Sequence, residues 1–88
     1  MTAYEEKRRH GRVSVDVHVD WGLTPDCPES GRLVSFSDGG CFILTAEEVP
    51  PGARVFVNLW LPAGLTEGEV RRRVENAGFG VEFKRDLL

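Results

Sequence analysis

Val13, Val15, Val17, Val19 and Trp21 alternate with Ser14, Asp16, His18 and Asp20. Successive side chains of a strand point to opposite faces, so this period-two run predicts a strand with one face buried and one in water. A second run has the same period: Val55, Val57, Leu59 and Leu61 alternate with Phe56, Asn58 and Trp60. Shorter apolar runs, Arg32 to Phe36 and Cys41 to Thr45, read as strands joined by Ser37-Asp38-Gly39-Gly40. Gly22 to Gly31, with Pro25 and Pro28, reads as a loop, and Pro50-Pro51-Gly52 as a break. Leu65 to Val74 gives a weaker strand signal, with Val70, Arg72 and Val74 on one face. After the turn Asn76-Ala77-Gly78, Phe79, Val81 and Phe83 complete a final strand. No segment beyond residue 12 has a helical period, and only Tyr4 to Arg9 suits a helical turn or two. Six short strands punctuated by Gly and Pro predict an antiparallel β-barrel or sandwich. Val15, Val17, Val19, Val57, Leu59, Val81 and Phe83 are its expected interior.

Eighty-eight residues make a single domain, and a chain of this size buries only about 60–65% of its unfolded surface. The expected division is an arginine-rich arm over 1–12 and one barrel over 13–88. No apolar stretch is long enough to insert in a membrane. The N-terminus MTAYEEKRRHGR is charged where a secretory leader needs its apolar core, which predicts a cytoplasmic protein. Cys27 and Cys41 lack C-x-x-C spacing and read as two reduced thiols. The net charge of −3 opposes binding to nucleic-acid polymers, yet Lys7, Arg8, Arg9, His10 and Arg12 lie together and Arg71, Arg72 and Arg73 form a second basic cluster. Local basic sites on an acidic chain suit a small anion.

Signatures of catalysis are missing: there is no HExxH, Walker loop or G-x-S-x-G, and no cysteine beside a histidine base. The expectation is a non-enzymatic chain without cofactor or metal. Asp16, His18 and Asp20 share a strand face that suits either a metal or plain solvation. Cys41, in an apolar strand, reads as packing rather than nucleophile. In an extended chain Arg8 and Arg12 fall on one side, about 13 Å apart at Cα. Their forked donors match phosphate oxygens or a guanine edge; a frayed, solvated terminus is the alternative. In Ser35-Phe36-Ser37-Asp38-Gly39-Gly40 the paired glycines tolerate positive φ. Successive N–H groups there could form an anion nest, with the serine hydroxyls adding donors, or the segment could be a simple hairpin turn.

Arg8-Arg9-His10-Gly11-Arg12 fits R-x-x-x-R before the first strand, and Ser37 with Gly40 fits the second half of [D/N]-x-S-x-x-G. Gly78-Phe79-Gly80-Val81-Glu82-Phe83 fits a closing G-x-G-V-x-F strand. In this order, from about Glu6 to Phe83, the chain resembles a PilZ domain, the bacterial receptor module for cyclic di-GMP. The resemblance implies a six-stranded antiparallel barrel without catalytic activity, whose basic arm folds over the ligand. It implies that Arg8 and Arg12, with Arg9 as a third contact, hold phosphates and guanine edges. Ser37 would hydrogen-bond the ligand, and Gly39 and Gly40 would form the floor.

Ser35 stands where the pattern has Asp or Asn. Many relatives also continue into a C-terminal helix that here is short or absent, which would expose a barrel end and favour a homodimer. The implied function is cyclic di-GMP reception signalled to a protein effector. A ligand-independent interaction barrel is the alternative, and an OB-like single-strand binder is a third reading that the acidic total opposes.

Overall fold

The computed structural model describes residues 12–59 and 64–84. Six strands follow in chain order: β1 (Val13–Gly22), β2 (Glu29–Ser37), β3 (Gly40–Leu44), β4 (Arg54–Leu59), β5 (Gly64–Val74) and β6 (Gly78–Phe83). They close into an antiparallel barrel in the order β1-β2-β3-β6-β5-β4. Hairpin neighbours pair along the chain; β3 with β6 and β1 with β4 close the ring, so no edge strand is left open. None of the described residues is helical, so among them no helix is long and apolar enough to cross a membrane. The expected helical turn at Tyr4–Arg9, and Trp60 and Leu61 of the second alternating run, lie outside the described residues.

The inward faces supply Val19, Trp21, Leu33, Ile43, Val55, Val57, Leu59, Val70, Phe79, Val81 and Phe83 to one core. Trp21 meets Phe79 edge-on, with ring centroids 4.9 Å apart, the geometry in which a positive ring edge faces a negative ring face. Cys27 and Cys41 are both free and buried. Cys41 is wholly inside the core, and burial pushes its thiol up to about 12 despite the opposing pull of Arg12. It packs as a neutral thiol, as expected.

Two expectations about strands change. The loop after β1 is shorter than Gly22 to Gly31, because Glu29, Ser30 and Gly31 already pair with Trp21, Asp20 and Val19. Val17 is not interior: it is 39% exposed, and Val15 is half-buried against the core. The register between β1 and β2 shifts between Ser14 and Val17, while the β1–β4 ladder spans only Asp20 to Gly22. The first half of β1 is therefore held through β2 at the barrel margin, where alternation no longer guarantees burial.

Candidate functional site

A cleft of about 680 Å³ opens on the outer surface over β2, β3, β6 and β5. Its floor follows one row of cross-strand partners. Ser35 pairs with Phe42, Phe42 with Gly80, and Gly80 with Arg72. Adjacent strands lie about 4.8 Å apart, so Ser35 and Arg72 stand about 14 Å from each other across the row. Phe42 is half-buried between them, and Gly80 contributes no side chain to block the floor.

Two irregularities in the ladders give the row its chemistry. Between β2 and β3 the register shifts between Leu33 and Ser35. Simple alternation would put both on one face. Instead Leu33 and Phe36 face the core, where Phe36 meets Phe83 at 6.3 Å, and Val34 and Ser35 both line the cleft. Between β5 and β6 the register shifts between Val70 and Arg72. Val70 is fully buried, whereas Arg71 and Arg72 are exposed and both line the cleft. The face shared by Val70, Arg72 and Val74 in the sequence reading is thus broken by a bulge, which re-aims successive side chains to one side.

The turn at the cleft's end is organised by Ser37. Its hydroxyl accepts from Gly39 N–H at 3.3 Å and donates to the Gly40 carbonyl at 3.4 Å. The residue is 5% exposed. The Gly39 carbonyl accepts from Phe83 N–H at 3.0 Å, tying the turn to β6. The proposed reason for the paired glycines is corrected: among the described residues the glycines with positive φ are Gly52 and Gly64. Gly40 is held in the ladder by Ser37 on one side and Glu82 on the other. A Cβ there would collide with the Val81 carbonyl oxygen, so glycine is required for strand-to-strand approach rather than for a left-handed nest.

Arg12, Ser35, Ser37, Gly39 and Gly40 all line this one cleft. Arg12 Nη1 donates to Ser35 Oγ at 2.7 Å, which joins the end of the arginine motif to the position where the serine motif departs from its pattern. Arg8 and Arg9 lie outside the described residues. Arg71 and Arg72 were legible as a basic cluster, but the place of Arg72 in the cleft depends on the bulge and could not be read from alternation.

The remaining charged expectations resolve locally. Asp16 accepts from Arg32 Nε at 2.6 Å, and His18 Nε2 lies 2.8 Å from Asp20 Oδ1. Among the described residues no group of three His, Cys, Asp or Glu side chains is arranged to hold a metal.

The PilZ domain family matches the chain over residues 6–87, nearly its whole length. Domains of that family are binding and adaptor modules, in general receptors for cyclic di-GMP. Comparison with curated proteins finds no match.

Proposed function

The chain belongs to the PilZ domain family, and from that premise we propose that it is a cyclic di-GMP receptor without catalytic activity, acting in the cytoplasm on a protein effector. One observation carries the reading: Arg12, Ser35, Ser37, Gly39 and Gly40, which come from two separate motifs, line a single cleft. The ligand has two phosphodiesters and two guanines, which are the acceptors that arginine forks hold in pairs. Arg12 at the lip, with Arg8 and Arg9 from the preceding segment, grips these groups. Ser35 sits beside a guanine edge. Ser37 acts through the turn it ties, and Gly39 and Gly40 keep that turn free of side chains. The half-buried ring of Phe42 offers a face for a base to lie on. Closure of the arginine-rich segment over the ligand then creates a surface that an effector reads.

A calorimetric titration with cyclic di-GMP, with GTP as the control, tests this directly. Saturable binding of cyclic di-GMP alone is expected. Arg12→Ala should weaken it at least ten-fold, since one charge-assisted hydrogen bond contributes about 1.5–3 kcal/mol. The melting temperature should stay within a few degrees, because Arg12 is exposed and its bond to Ser35 is an exposed one. Amides of residues 8–12 should gain protection when ligand is added. A flat titration of the wild type would overturn the reading in favour of a ligand-independent interaction barrel.

A further inference from the structure

The described cations are unequally compensated. Arg32 meets Asp16 at 2.6 Å, and Arg73 meets Glu48 at 3.1 Å. Arg54 and Lys84 share Glu67 at 3.3 and 3.4 Å. Arg71 bridges Glu82 at 3.3 Å and Glu69 at 3.7 Å. Among the described residues Arg12 and Arg72 are the guanidiniums without a carboxylate partner, and both line the same cleft. On an acidic chain, uncompensated positive charge has been gathered at one concave surface from two different strand ends. Field lines concentrate in such a concavity and raise the local concentration of anions.

We propose that Arg72 is a second anion contact, gripping a phosphate of the bound ligand from the side of the cleft opposite Arg12. The inference rests on the reading of the cleft as an anion site, and assigns the barrel wall a role that the arm motif does not cover. Arg72 belongs to β5, and the bulge between Val70 and Arg72 turns it outward. Its cross-strand partner is Gly80, so no side chain stands between the guanidinium and the floor. Beyond Gly80 lies Phe42, then Ser35 with Arg12 bonded to it. An aromatic floor with a guanidinium at each edge suits a flat base flanked by two anionic groups. Among the described residues Glu82 is the carboxylate that lines this cleft. Its ion pair with Arg71 cancels that charge and leaves Arg72 for the ligand.

The test follows the arginine Nε–Hε resonances of the labelled full chain during titration with cyclic di-GMP and, separately, with inorganic pyrophosphate. Both ligands should shift the Arg72 resonance in a saturable way. Arg72→Ala should weaken cyclic di-GMP about ten-fold and flatten its salt dependence. Arg73→Ala, which removes a charge paired with Glu48, should stay within two-fold of wild type. If cyclic di-GMP does not bind but pyrophosphate shifts Arg72, the receptor reading falls and the anion contact stands. Tight cyclic di-GMP binding that Arg72→Ala leaves unchanged overturns the contact while the receptor reading survives. An Arg72 resonance unmoved by either ligand at saturation also overturns it.

Discussion

Gly40→Ala and Gly80→Ala separate two roles that the family's motifs merge. Both glycines lie on the cleft floor, and adding one methyl to each perturbs different things. At Gly40 the new Cβ meets the Val81 carbonyl oxygen, with Val81 C at 3.3 Å and Glu82 Cα at 3.5 Å. These are backbone atoms, so no rotamer change relieves the clash; β3 and β6 must part. Overpacking costs about 1–3 kcal/mol. Weakening one or two hydrogen bonds of the Gly40↔Glu82 and Cys41↔Val81 ladder adds about 0.5–1.5 kcal/mol each. The stiffer unfolded chain returns about 0.4–1 kcal/mol. The net loss is about 2–3 kcal/mol, which in a domain of this size lowers the melting temperature by about 10–20 °C.

At Gly80 the nearest atom to a new Cβ is Phe42 Cδ2 at 3.5 Å, then the Arg72 carbonyl at 3.9 Å. These are ordinary contacts, and the melting point should move by less than about 4 °C. The methyl would nevertheless stand between Phe42 and Arg72, so cyclic di-GMP binding should weaken without loss of fold. Thermal unfolding followed by tryptophan fluorescence, with calorimetry on the same samples, reads both effects. A Gly40→Ala protein that melts within 4 °C of wild type would refute the claim that this glycine serves strand approach.

Other expectations follow from the same geometry. Ser35→Asn should tighten cyclic di-GMP about five-fold or more, because an amide oxygen reaches farther than the hydroxyl and a good base contact is worth about 1–3 kcal/mol; an unchanged dissociation constant would show that position 35 does not read guanine. Cys41 keeps its proton in the folded state up to about 12, above its ordinary 9.0, so between these values the unfolded chain binds fewer protons and stability falls as pH rises. The slope is at most about 1.4 kcal/mol per pH unit for this group. Urea unfolding at pH 8 and pH 10 should therefore show a steeper loss in wild type than in Cys41→Ala, by about 1.4 kcal/mol, and equal losses would contradict the burial argument.

Much of the barrel was legible in the chain itself. Alternation in 19–21 and 55–59 and in Phe79, Val81 and Phe83 names inward faces because burial is decided residue by residue at period two. Gly and Pro clusters mark where strands stop for equally local reasons. The short motifs around Arg12, Ser37 and Gly40 carried the family and the candidate site, since backbone geometry and donor chemistry restrict the residue types there. The third dimension decided what local pattern cannot encode. Bulges beside Val34 and Arg71 arise from how neighbouring strands share register, and they turned Ser35 and Arg72 outward against simple alternation. Val17 lost its expected burial because the β1–β4 ladder spans only Asp20 to Gly22. Gly40 revealed its constraint only when the Val81 carbonyl was seen against it. Pairing of charges across strands, which among the described residues leaves Arg12 and Arg72 uncompensated in one cleft, depends on residues far apart in the chain meeting at a few ångströms. Period and composition are properties of neighbours along the chain, while register and charge pairing belong to neighbours across the sheet.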